Sequence, residues 1–370
     1  MKSWLMRAVL VFSIIAPTIH AKEWQEWYDF KAVYMTSQGR IIDGSDPRLI
    51  TTSEGQSYAM FFALVANDRD AFDRLYNWTQ QHLAQGDLTA YLPAWLWGRT
   101  NHGYGVIDDN SASDSDLWIA YTLIEAGRLW QDDYYQNVGY LLAKRILKEE
   151  TVEFAQGNTQ LLPGKQGFTA KGKVKLNPSY VPMPLLAAFA AHDSKGRWQS
   201  LQRSSQKLLL SSQARGVSPD WLLYDGESIS YDRDTTDIGN YNAIRSYLWA
   251  GMMPTEMIGH QLLVDSLAPF ANQALVQGYA PLNTYAQSGK MEKQGPIGFD
   301  AALLPLLTFY APTDITDKWA NRVRENLVTD RNDEYYNNVL ALFGLGWYDH
   351  QYRFNAQGEL LVPWAEKGEQ

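Results

Sequence analysis

The chain has 370 residues, 45% hydrophobic and 20% charged, with 27 Gly and 15 Pro, a balance that excludes a disordered or collagen-like polymer. Acidic residues outnumber basic ones 41 to 32, and the formal net charge of -9 disfavours an electrostatic grip on nucleic acid or an anionic membrane surface. With no Cys there is no thiol catalysis, disulfide or thiolate zinc site, and with only 6 His no metal or cofactor site is supported.

At the start of the chain, Lys2 and Arg7 precede an apolar run from Ala8 to Ile15, then Pro17, with Ala21 before Lys22. A positive start, a short apolar run and a small closing residue predict a secretory signal peptide over 1–21. The run is too short for a membrane anchor, which takes about 20 apolar residues. Removing it makes the mature chain more acidic still, and no later stretch is long and apolar enough to span a bilayer. The expectation is a soluble protein outside the cytoplasm, periplasmic or extracellular, without membrane insertion after cleavage.

From residue 22 to 370 there is no linker, charge block or break in composition, which predicts a single domain. After an entry helix over 24–35, apolar residues recur at i, i+3, i+4 and i+7. They do so over 55–66, 70–83, 116–130, 134–147, 184–190, 198–210, 242–250, 260–275, 299–310, 319–327 and 335–346. About twelve helices result, with no alternating strand pattern of useful length. Helices rich in Ala, Phe, Tyr, Trp and Gly alternate with amphipathic ones, so buried and water-facing helices take turns six times. That pattern predicts an all-α (α/α)6 barrel of two concentric helix rings. The inner helices then begin on one rim, near Glu54, Asp114, Tyr180, Asn242, Phe299 and Tyr336.

Three clusters at those starts could carry chemistry. In 51–58, Thr and Ser can cap a helix and Glu54 can complement its dipole. Gly55, Ser57 and Ala59 also leave room beside the carboxyl, and the helix enters a core at once. A partly desolvated carboxyl there is suited to general acid catalysis. In 110–118, Asp114 and Asp116 are either a cap with a first-turn charge or a functional pair, and the Gly and Glu of a calcium loop are missing. In 239–249, Asn242 and Arg245 lie nearly one turn apart and can share the rim, after a loop holding Asp225, Glu227, Asp232, Asp234 and Asp237. Trp95, Trp97, Tyr180, Tyr335 and Tyr336 are core residues or, beside the carboxyls, ring faces on which sugars stack. The 14 Trp and 22 Tyr make the second role plausible for several of them.

At these residues the chain resembles glycoside hydrolase family 8, and within it the branch associated with bacterial cellulose synthase. TTSEGQSYAM at 51–60, PAWLWG at 93–98, NSASDSDLW at 110–118, NPSY at 177–180, SPDW at 218–221, YNAIR at 241–245, GPIGF at 295–299 and YYNNVLALFGLGW at 335–347 occur in the family's order. The resemblance runs from Trp24 to Trp364. It implies a long cleft across one end of an (α/α)6 barrel and inverting hydrolysis of a β-1,4-glucan chain. It also implies secretion to the periplasm beside a cellulose synthase and export complex. By that resemblance Glu54 is the proton donor and Asp114 binds the sugar at the cleavage point and helps hold the attacking water. Trp97, Tyr180, Tyr241, Arg245 and Tyr336 are then sugar contacts. Asn242 departs from the pattern, since the cellulase branch has its general base there as Asp. An amide cannot accept the proton, and general-base catalysis is worth about 10² to 10⁴ in rate. One branch, including chitosanases, has Asn here and takes its base from a Glu on another loop; Asp237, Asp234, Glu227 and Asp114 are the candidates in this chain. Besides an endoglucanase, the sequence therefore admits a non-hydrolytic glucan-binding protein and a chitosanase-like hydrolase.

Overall fold

The computed structural model describes residues 24–365, so the expected signal peptide lies outside the described residues. Thirteen α-helices are described: α1 (Gln25–Tyr34), α2 (Ser53–Val65), α3 (Arg69–Leu83), α4 (Ser113–Trp130), α5 (Asp133–Glu149), α6 (Met183–Ala191), α7 (Arg197–Ser212), α8 (Ala243–Gly251), α9 (His260–Ser266), α10 (Ala268–Gln277), α11 (Ile297–Leu307), α12 (Thr313–Asn326) and α13 (Tyr335–Tyr348).

Their composition decides their layer. In α2, α6 and α11 nearly every side chain is apolar or small and nearly every residue is buried. In α3, α5, α7 and α12 only one stripe is buried and the opposite face carries Arg, Lys, Asp and Gln. The inner ring runs α2, α4, α6, α8, α11, α13. Phe343 of α13 closes it, with its ring 4.9 Å from Tyr58, 5.7 Å from Phe61 and 4.6 Å from Phe62 of α2. Close approach of inner helices requires missing side chains: a Cβ on Gly344 of α13 would strike the carbonyl of Ala301 in α11. The outer layer is α1, α3, α5, α7, α9 with α10, and α12. This is the (α/α)6 barrel expected.

Two features differ from the expectation. The helix predicted over 260–275 is two, broken at Leu267, because Pro269 offers no N–H to the preceding turn and its ring crowds the carbonyl four residues back. Strands also exist in the connections, fourteen among the described residues, each of 2 to 6 residues and too short to leave a period-two pattern. They matter because they build the rim. The strand β1 (Thr51–Thr52) feeds directly into α2 and pairs antiparallel with β2 (Leu96–Thr100), which pairs with β3 (Gly103–Asp108). A four-stranded sheet joins Thr169–Ala170, Lys173–Leu176, Leu222–Tyr224 and Ile229–Ser230. Among the described residues no helix is long and apolar enough to cross a membrane.

Candidate active site

The inner helices start within a few residues of the predicted positions, and their starts converge. Thr52 caps α2 by accepting the N–H of Gly55 at 3.0 Å, which fixes Glu54 in the first turn. Gly55 has no room for a side chain, since a Cβ there would lie 2.5 Å from the Tyr335 hydroxyl. Asp114 sits in the first turn of α4, buried, with Oδ1 accepting the N–H of Ser115 at 2.8 Å. Tyr180 is in the short turn Pro178–Tyr180 that enters α6, and Asn242 and Arg245 begin α8.

Arg245 connects these residues. Its guanidinium is buried and donates from Nη1 to Glu54 Oε2 at 2.6 Å. Nη2 donates to Ser179 Oγ at 3.2 Å and Asn242 Oδ1 at 3.1 Å, and lies 3.5 Å from Asp114 Oδ2. Its carbon stands 5.8 Å from the Tyr180 ring, and Nη1 is 3.5 Å from the Tyr336 hydroxyl. Tyr336 in turn donates to the Tyr241 carbonyl at 2.7 Å, and the two rings are 6.0 Å apart. Thus Glu54, Asp114, Tyr180, Tyr241, Asn242, Arg245 and Tyr336, scattered over 54–336, form one constellation.

The electrostatics follow from burial. Desolvation, followed by the Glu54 charge, pushes the Asp114 pKa up to about 7 while Arg245 opposes the shift. One guanidinium balances only one of the two carboxylates beside it. Behind them lies a second pair. Asp116 and Glu150 are both fully buried, and desolvation, followed for Asp116 by the Glu150 charge, disfavours ionising the two together. Burial raises both, Glu150 to about 8, and the Ser111 hydroxyl donates to Glu150 at 2.5 Å.

Asn242 presents an amide where a carboxylate base is expected. Its Oδ1 takes hydrogen bonds from Asn177 Nδ2 and Arg245 Nη2, both at 3.1 Å. Two donors on that side fix the amide orientation, leaving Nδ2 without an acceptor among the described residues. Of the base candidates only Asp114 belongs to this group; the loop acids Glu227, Asp234 and Asp237 make their contacts elsewhere. Glu227 lines a separate groove of about 610 Å³ with Asn158, Arg203 and Lys207. Asp234 is exposed in a turn, and Asp237 Oδ2 accepts the N–H of Gln287 at 3.1 Å.

The aromatic flank on one side is the β2–β3 hairpin. Trp97 is half-buried, with Arg40 at 4.2 Å, Tyr104 stacked at 5.4 Å and Trp78 edge-on at 5.3 Å. Tyr104 is the more open ring, 50% exposed. On the other side Tyr180 lies 6.0 Å from Trp221, and Trp221 is nearly parallel to Phe168 at 6.3 Å.

Sequence reasoning missed Asp220, Asn177, Ser179, Trp221 and Phe168. Asp220 Oδ1 accepts the backbone N–H groups of Asn240, Asn242 and Ala243 at 2.8, 3.1 and 2.7 Å and so anchors the start of α8. The SPDW and NPSY runs held the signal for three of the five, Asp220, Asn177 and Ser179, since a polar residue beside Pro at the mouth of a buried helix needs a partner.

A family model described as Glycosyl hydrolases family 8 matches residues 1–350. The chain is 43% identical over 372 residues to an endoglucanase of Salmonella typhi, covering 99% of this chain and 98% of that protein. It is 42% identical to an endoglucanase of Escherichia coli K12, covering 98% and 96%. Among solved structures it is similar to an endo-1,4-D-glucanase from Vibrio fischeri ES114, with TM-score 0.89 and 47% identity over 92% of this chain and 99% of that one. It is also similar to the endo-beta-1,4-glucanase CMCax from Acetobacter xylinum, with TM-score 0.72 and 25% identity over 88% and 98%. A carboxyl pair bridged by a buried arginine between aromatic flanks, on this barrel and with these relatives, leaves one assignment: the chain is a glycoside hydrolase and belongs to glycoside hydrolase family 8.

Proposed function

We propose that the protein is an endo-β-1,4-glucanase that cleaves cellulose chains with inversion, using Glu54 as the acid. The observation that carries this reading is the convergence of Glu54 and Asp114 on Arg245 between two aromatic flanks. Glu54 delivers the proton to the leaving oxygen. Asp114, on the same guanidinium as Glu54, holds the sugar and water rather than acting as base. Tyr180, Tyr241, Tyr336 and Trp97 line the cleft, and Arg245 keeps Glu54 oriented.

The base position is Asn242, so turnover is slow and limited by water activation. Glu54→Gln tests the acid: it removes hydrolysis of carboxymethyl cellulose while binding survives, and a variant as fast as wild type refutes the assignment. The amide at 242 also favours a second reading, a glucan-binding protein that assists export without cutting. Binding of cello-oligosaccharides with no reducing ends released over long incubation distinguishes it.

Within this proposal, residues 1–21 are a secretory signal and 22–370 one catalytic domain, acting outside the cytoplasm in cellulose biosynthesis, beside the synthase and export complex. The positive, apolar and small segments of the first 21 residues support the first point, and the unbroken composition of the rest supports the second.

A further inference from the structure

The acidity of the chain is not uniform along the cleft. Four lysines, Lys165, Lys171, Lys173 and Lys175, fall within eleven residues, and among the described residues none of them makes an ion pair. On the strand Lys173–Leu176, Val174 and Leu176 are buried, so Lys173 and Lys175 share the opposite face. Lys173 Nζ donates to Ser230 Oγ at 2.9 Å, and Lys165 Nζ to the Asp109 carbonyl at 2.9 Å. Lys175 Nζ stands 4.5 Å from the Trp221 ring centroid. Trp221 touches Tyr180, and Tyr180 is covered by Arg245, so a chain of ring and cation contacts leads from Lys175 to the catalytic carboxyls.

We propose that this arm of the cleft, Phe168, Trp221 and Lys175 with Lys173 and Lys171 behind it, is a sugar subsite selective for β-glucan bearing anionic substituents, carboxylate or phosphate. The rings supply stacking that any glucose unit satisfies. The lysines supply charge that only a substituted unit can use, and they oppose a cationic polymer such as chitosan. The Lys175 ammonium stands over the Trp221 indole, so ring and charge are presented together to a substituted sugar unit. The inference rests on the proposed glucan cleft but not on turnover, so it is read by binding as well as by rate.

The test compares carboxymethyl cellulose with neutral hydroxyethyl cellulose of matched substitution, by dissociation constant and, where turnover is measurable, by kcat/KM. Wild type prefers the carboxymethyl polymer at low salt and loses that preference at high salt, where exposed charges are screened. Lys175→Met keeps the stem and removes the charge; the ratio of the two affinities falls about two- to fivefold. Lys175→Glu lowers it further. An equal effect on both polymers, or a wild-type ratio indifferent to salt, overturns the proposal. The salt series alone decides should a variant fail to fold. Failure to bind either polymer points instead to failure of the glucan reading.

Discussion

Arg245 Nη1 lies 2.6 Å from Glu54 Oε2 although 191 residues separate them in the chain. The contact ties the start of α8 to the start of α2 across the mouth of the barrel, and it is the only fixed cation the two central carboxyls share among the described residues. Arg245→Met leaves Glu54 and Asp114 without a counter-charge, so the cost is that of breaking a buried pair, about 3 kcal/mol by urea unfolding. Arg245→Lys keeps charge but loses the fork that reaches Ser179 and Asn242, and its stability and rate fall between those of Arg and Met.

Stability should fall as pH rises through the neutral range. Asp114, Glu150 and Asp116 all have folded pKa values raised by burial, the first two to about 7 and about 8. Between the ordinary carboxylate range and those values the folded state holds more protons than the unfolded one, so unfolding free energy decreases with pH. Thermal melts at pH 5 give a higher Tm than melts at pH 8, and Glu150→Gln flattens the difference. A Tm that rises over this interval contradicts the protonated pairs.

Activity follows the same proton. Loss of the Asp114 proton above about pH 7 puts a second negative charge beside Arg245 and changes how Glu54 is held, so the pH–rate profile has a limb near pH 7. Asp114→Asn removes the partner and moves that limb, which a pH–rate profile reads directly.

Asp220 accepts three backbone N–H groups at the start of α8. Asp220→Ala strips all three at once and costs about 2 kcal/mol, the upper range for a lost helix cap. Because Asn242 is one of the three donors, KM and kcat change together, whereas a purely remote destabilisation alters neither in the folded enzyme.

Much of the architecture was legible because burial is written into composition. The run Met183–Ala191 is apolar on every side and can only be interior, while Arg197–Ser212 is apolar on one stripe. The Thr52 cap marks the start of α2, whereas α4, α6, α8, α11 and α13 begin without a side-chain cap, and their starts followed from the onset of buried composition and the motif resemblance. The break at Pro269 was legible in principle but masked by periodicity on both sides of it. Contacts made by folding alone were not. Asp116 and Glu150 are 34 residues apart and read singly as an ordinary first-turn acid and an ordinary helix-end acid. Asp220 and Asn177 act on backbone or amide groups more than 19 positions away, and no local spacing announces that. The short rim strands set Trp97 opposite Thr51, just before Glu54 in the chain, a register that two residues of sequence cannot encode alone.

The central claim is that this is a hydrolase whose rate is limited by an amide at the base position. The most direct measurement is reducing-end release from carboxymethyl cellulose by wild type and Asn242→Asp. The substitution keeps the oxygen that accepts from Asn177 and Arg245 and replaces the unpaired Nδ2 with a second oxygen able to take a proton from water. The account predicts slow turnover in wild type and a kcat raised by about 10² or more in Asn242→Asp with KM little changed. Equal kcat in the two proteins would contradict it, because another carboxylate would then already be serving as the base.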